Sequence, residues 1–311
     1  METSATHLAH ETCMLKPMLY IPADRKDLTT LLGGERDLGV CSIAVCLEDA
    51  VRAENRDVAA MSLCRILREL EHVPRPVFIR PADAGALDRL LEHLPVDRIA
   101  GFILPKATVG SIHDWTERSY GLHTILPILE TREILDPMSR RDLALACAAY
   151  PSVIPGVRIG ANDLFRLLGG LRRPPDRTIY ETPVGHVIDG LLETFCAHGI
   201  RLCAPVSDRI NDLATLLREV EEDIQRGLFG KTSVHPKQVQ AIWAAYRPAS
   251  DEVAEARSIL DPNAPAVFGS NGAMLETACH DEWARRILRR EELYSLGNNR
   301  AKSGAGNAVG M

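Results

Sequence analysis

Apolar residues recur along this chain in short runs of three to seven, and most runs end at a charged residue or a proline. Met18-Leu19-Tyr20-Ile21 closes at Pro22-Ala23-Asp24-Arg25, and Ser42 to Leu47 closes at Glu48-Asp49. Val77-Phe78-Ile79 closes at Arg80-Pro81, and Gly101-Phe102-Ile103-Leu104 at Pro105-Lys106. Ile125 to Leu129 ends at Glu130, Val153 to Ile159 at Gly160 just before Asp163, Ile200 runs to Pro205, and Gly227 to Lys231 opens a unit ending in His235-Pro236. Between them the period changes to three or four residues: Val58, Met61, Leu63, Ile66, Leu67 and Leu70 predict one helix, and 87–91, 143–149, 187–192, 213–224 and 238–246 predict others.

Strands alternating with helices predict a parallel sheet, and eight such units predict a closed (β/α)8 barrel, an α/β TIM barrel, over residues 16–248. An open doubly wound sheet is the alternative. Its usual G-x-G-x-x-G after the first strand is missing, since Gly33-Gly34 lacks the third glycine. Residues 1–15 lack periodicity and read as a loose arm. After a Pro-rich link, Asp261-Pro262-Asn263-Ala264-Pro265, residues 249–296 read as a helical extension with an amphipathic helix from Trp283 to Leu288. Residues 297–311 have the Gly, Asn, Ala and Ser content of a disordered tail.

Composition narrows the function classes. With 36 basic and 42 acidic residues the formal charge is −6, which sets up no field for nucleic acid or an anionic membrane. No run reaches the roughly 18 apolar residues of a membrane span, and Met1 to Glu11 has no apolar signal core. The eight cysteines form no C-x-x-C pair and several sit in apolar runs, as reduced core residues do. A cytoplasmic protein is expected.

The charged residues fall in one place. Asp24 and Arg25, Glu48 and Asp49, Arg80, Lys106, Glu130 and Asp163 all follow the carboxyl ends of their strands, the rim on which a (β/α)8 barrel builds its active site. Singly, each acid reads as a solvated loop residue; six successive strands delivering charge to one rim read as a site. Glu130 and Asp163, with no lysine beside either, are oxygen ligands of the kind a hard divalent cation prefers, Mg²⁺ or Mn²⁺. Glu48 and Asp49 can hold metal-bound waters, and Arg80 offers a planar fork to a carboxylate or enolate. Lys106 reads either as a Schiff-base lysine or as an ion-pairing partner of the acids, and the acidic surroundings favour pairing. His235 reads as a base or as a structural hydrogen-bonding residue.

The chain resembles the citrate lyase β-subunit-like proteins, within the HpcH/HpaI-type aldolases and malyl-CoA lyases. The resemblance is carried by Leu19-Tyr20-Ile21-Pro22-Ala23, Leu47-Glu48-Asp49-Ala50-Val51, Phe78-Ile79-Arg80, Leu104-Pro105-Lys106, Leu129-Glu130-Thr131, Ile159-Gly160-Ala161-Asn162-Asp163-Leu164 and 230–238, in that order. It implies Mg²⁺ on Glu130 and Asp163 and a substrate carboxylate or carbonyl held by Arg80; on the residues themselves Arg25 and Pro22 are read as further substrate contacts, and Arg80, Glu48, Asp49 and Lys106 as the catalytic set. It also implies that the C-terminal extension packs on an adjacent protomer of a trimer or hexamer. Two positions depart from the family: Arg80-Pro81-Ala82 stands where Arg-x-Asn is usual, and Met274-Leu275-Glu276 where malyl-CoA lyases carry Met-Ile-Asp. Glu276, reaching a neighbour's site, is the proton-transfer candidate. The expected activity is Mg²⁺-dependent carbon–carbon cleavage of a small hydroxy acid or its CoA thioester; the alternatives are CoA-thioester hydrolysis and a non-catalytic metabolite-binding barrel. The resemblance implies a small carboxylate or acyl-CoA as the molecule bound, and a divergent branch found beside stress-resistance genes resembles the Trp283-Ala284-Arg285-Arg286 stretch.

Overall fold

Each strand places alternate side chains inside and outside a closed barrel, and that alternation positions the site. The computed structural model describes residues 16–295 except 37, 40 and 41; the expected arm and tail lie outside them. Eight parallel strands close on themselves in sequence order: β1 (Met18–Pro22), β2 (Ser42–Cys46), β3 (Val77–Arg80), β4 (Gly101–Leu104), β5 (Thr124–Leu129), β6 (Val157–Ile159), β7 (Leu202–Ala204) and β8 (Phe229–Ser233). Register pairs Pro22 with Cys46, Cys46 with Arg80, and Ile128 with Arg158. The helices between them are α1 (Leu28–Gly33), α2 (Arg56–Glu69), α3 (Ala84–His93), α4 (Val109–Arg118), α5 (Pro137–Ala148), α6 (Ala161–Leu167), α7 (Pro183–Ala197), α8 (Leu213–Gln225) and α9 (Pro236–Tyr246).

Met18, Ala44, Phe78, Ile103, Leu126, Ile128 and Cys203 pack together inside the barrel, while Leu19, Ile21, Ile43, Val45, Val77 and Ile79 point outward into the larger core under the helices. The filled interior is a floor rather than a pore. Continuing the period of two upward from this floor brings Tyr20, Cys46, Arg80, Arg158 and Thr232 to the inside, with Glu48 and Glu130 one step beyond their strands.

Several expected boundaries shift for local reasons. The sixth strand covers only Val157–Ile159, because Pro155 has no N–H to give a ladder, although Val153 O still accepts from Ile125 N at 2.9 Å. In α2 the buried face is Ala59, Leu63, Cys64, Ile66 and Leu67; Val58 and Met61, expected on it, are exposed. Helix α4 has few apolar residues and is opened by a capping box between Thr108 and Ser111.

The chain divides into two compact units, Met1–Ile242 and Trp243–Met311, a few residues before the boundary expected at 248. The second unit holds α10 (Ser250–Ile259), a hairpin of β9 (Val267–Ser270) and β10 (Ala273–Glu276), and α11 (Thr277–Ser295). The hairpin turns on Asn271-Gly272, both at positive φ, the backbone that a tight two-residue turn requires. Ala284 and Ile287 of α11 pack on Val253, Ala256 and Ile259 of α10. The amphipathic face expected to need a neighbouring protomer therefore finds apolar partners in its own chain. Among the described residues no helix is long and apolar enough to cross a membrane.

Candidate active site

Above the barrel floor lies a cavity of about 420 Å³ whose lining includes Tyr20, Pro22, Cys46, Asp49, Arg80, Glu130, Arg158, Gly160, Asp163 and Thr232. Of the residues singled out from sequence, Pro22, Asp49, Arg80, Glu130 and Asp163 thus meet around one space. Glu48 and Lys106 join them through contacts with Arg80 and Asp49. Arg25 does not line the cavity; it is exposed and paired with Asp27 through hydrogen bonds of 2.8 and 2.7 Å. His235 does not line it either, and its Nδ1 accepts from Lys237 N at 3.1 Å at the start of α9, the structural alternative. Glu276 belongs to the second unit, where its carboxylate accepts from Cys279 Sγ at 3.1 Å.

Glu48 is the hub of the cationic side. Its Oε2 lies 2.7 Å from Arg80 Nη2, its Oε1 accepts from Lys106 Nζ, and its Oε2 also accepts from Asp49 N at 2.9 Å. Burial would raise its pKa, but the hydrogen bonds from Asp49 and Lys106 and the charge of Arg80 hold it below the ordinary carboxylate value. Asp49 goes the other way, raised by burial and then by Glu48 beside it. Burial alone would lower the Lys106 ammonium, yet Glu48 and then Asp49 keep it above the usual lysine value. A Schiff base needs a neutral amine, so this geometry is that of an ion-pairing lysine. Arg80 is further fixed by its Nε, which donates to Cys46 Sγ at 3.3 Å, and no described contact engages its Nη1.

The acidic side is built on β5 and the β6–α6 turn. Glu130 is 5% exposed and its Oε1 accepts from Lys106 N at 2.9 Å, a bond that the left-handed backbone of Lys106 (φ 50°) helps to aim. A methyl group at Gly160 would lie 2.1 Å from Glu130 Oε2, so a glycine is what lets the carboxylate pass. Burial, and then the charge of Asp163, push the Glu130 carboxyl up to about 7. Asp163 stands in the first turn of α6, with Oδ1 taken by Arg166 at 2.7 Å.

These two acids fit a hard divalent cation. They share one cavity, offer oxygen donors, and repel each other in a way that a cation relieves. Among the described residues no group of three or more His, Cys, Asp or Glu forms a metal cage. Two carboxylates leave the other positions to water and substrate, which is how Mg²⁺ is commonly bound.

Sequence reasoning passed over Tyr20, Arg158 and Thr232 as site residues. Their signal was the period of two: Arg158 sits between Val157 and Ile159, both outward-facing, so a charged residue falls at an inward position of a strand.

A model of the C–C bond lyases of the TIM-barrel fold matches residues 10–296, and the chain belongs to that family. A (3S)-malyl-CoA thioesterase of Cereibacter sphaeroides is 27% identical over 250 residues, 79% of this chain and 82% of the relative. A citrate lyase subunit beta-like protein of Mycobacterium tuberculosis is 27% identical over 277 residues, 88% of this chain and 94% of the relative. Among solved structures, protein CitE of M. tuberculosis, in complex with magnesium, acetoacetate and coenzyme A, superposes with a TM-score of 0.70 at 23% identity, over 90% of this chain and 99% of that one. RipC of Yersinia pestis gives 0.59 at 18%, over 78% and 99%.

Proposed function

We propose that this protein is a Mg²⁺-dependent carbon–carbon lyase acting on a small hydroxy acid or its CoA thioester. The observation that carries the reading is the meeting of Glu130, Asp163 and Arg80 around one cavity at the carboxyl-end rim of the barrel. Glu130 and Asp163 would hold the cation, with Mn²⁺ as a substitute. When bound there, the ion supplies Lewis-acid polarisation of a 2-hydroxy or 2-oxo oxygen.

The chain's own residues do the rest. Arg80 binds a carboxylate or enolate oxygen through its uncommitted donors, while Glu48 and Cys46 fix its plane from behind. Lys106 keeps Glu48 ionised, and Asp49 stays beside them to hold water. Pro22 shapes the wall. Glu276 from a neighbouring protomer is the proton-transfer candidate; Arg25, paired with Asp27, contributes charge at the rim. The likeness to a (3S)-malyl-CoA thioesterase favours a second reading, thioester hydrolysis by the same site.

Incubation with malyl-CoA and Mg²⁺, with products identified by mass spectrometry, tests both. Glyoxylate with acetyl-CoA supports the lyase and malate with free CoA the hydrolase. No turnover of malyl-CoA, citryl-CoA or free 2-hydroxy acids counts against both.

A further inference from the structure

Arg158 is the anomaly of the cavity. It is 4% exposed, yet no carboxylate lies within ion-pairing distance of it among the described residues. Its guanidinium makes one hydrogen bond, from Nη2 to Thr232 Oγ1, and lies 5.8 Å from the centroid of the Tyr20 ring. The other cations around the cavity have carboxylate partners: Arg80 and Lys106 on Glu48, and Arg166 on Asp163. Burying an ion without a counter-ion is unfavourable. A cation–π contact and one neutral hydrogen bond offset only part of that cost, which leaves a deficit. A purely structural arginine would be expected to close that deficit with an acid, and this one does not.

We propose that Arg158 is a second anion anchor, which makes the preferred substrate one that brings two carboxylates into the cavity. This rests on the lyase reading above and narrows its substrate class. Arg80 and Arg158 lie 5.6 and 5.8 Å from the centroid of the same Tyr20 ring and both line the one cavity, so both forks serve the same space. Charge balance agrees. Glu48, Asp49, Glu130 and Asp163 are matched in number by Arg80, Lys106, Arg158 and Arg166. A divalent cation then leaves two positive charges, which a dicarboxylate cancels and a monocarboxylate does not. The neutral carbonyl of a thioester supplies no counter-charge, so Arg158 discriminates by charge as well as by shape. A cavity of about 420 Å³ lies toward the small end of ligand pockets and suits a compact acid.

Oxaloacetate and pyruvate are suitable probes, since they share the 2-oxo-acid head and differ by one carboxylate. Calorimetric titration of the full chain with each, with and without Mg²⁺, should show oxaloacetate bound at least about tenfold more tightly. Arg158→Met should bring the ratio close to one while leaving pyruvate and Mg²⁺ affinities in place. Arg158→Lys keeps the buried charge but loses the fork, and should lower the ratio by a smaller factor; it carries the test if the Met variant does not fold. Equal affinities in the native protein overturn the proposal, as does a preference that survives these substitutions. Mg²⁺ titration judges the lyase reading separately: if the native protein binds no Mg²⁺ that reading fails, while the ratio measured without the ion still judges Arg158.

Discussion

Glu130 shows how burial and charge set one residue against its fold. Its carboxyl titrates near 7 in the folded chain, against an ordinary 4.5. The folded state therefore holds the proton more tightly than the unfolded state does. That stabilisation is full below about pH 4.5 and is lost as pH rises through about 7, a change of roughly 3 kcal/mol. Thermal melts in EDTA should show the midpoint falling across that window, and Glu130→Gln should flatten the fall. A native profile already flat there would mean that the carboxyl is not displaced. At Arg80 the issue is shape rather than charge. Arg80→Lys should lower kcat/KM about 100-fold or more with Mg²⁺ affinity unchanged, because an ammonium cannot hold two oxygens in one plane; near-native turnover would remove the fork from the account. Glu130, Asp163, Glu48 and Arg80 were legible in the sequence because each interrupts or ends an apolar run. Arg158 was not, since it sits one residue before the Asp163 motif inside an apolar run and its isolation is a property of the packed barrel.

At the scale of elements, the eight strands were legible from their apolar runs, and their ends less so. The sixth and seventh strands both shrink to three residues: Pro155 trims the start of the sixth and Pro205 closes the end of the seventh, a backbone effect that hydrophobicity does not register. The hairpin after the Pro-rich link had a readable turn in Asn271-Gly272, but its flanks lack clean alternation: Val267 and Met274 are both exposed. The β6–α6 turn is where an element shapes the site directly. Gly160 has φ −90°, an ordinary backbone for any residue, so Gly160→Ala meets its nearest obstacle in the side chain of Glu130. Mg²⁺ affinity should fall by at least about tenfold while far-ultraviolet circular dichroism stays that of the native barrel. Unaltered Mg²⁺ binding would show that the carboxylate can shift without consequence.

For the whole molecule, two compact units carry unequal parts of the argument. The barrel holds every residue of the cavity, and the second unit holds Glu276. Because α11 packs on α10 within the chain, the proposed homo-oligomer rests on the family resemblance and on the exposed Val267 and Met274 of the hairpin. Light scattering should give a trimer or hexamer of 34.2 kDa chains; a monomer at micromolar concentration would leave Glu276 without a neighbour's site to enter. The central claim is that Glu130 and Asp163 together hold a divalent cation. Isothermal titration of Mg²⁺ into the native protein, Glu130→Gln and Asp163→Asn at pH 8 tests it most directly. Binding near one ion per chain in the native protein and its loss in both variants is the expected result. Binding of equal strength in all three proteins would contradict it.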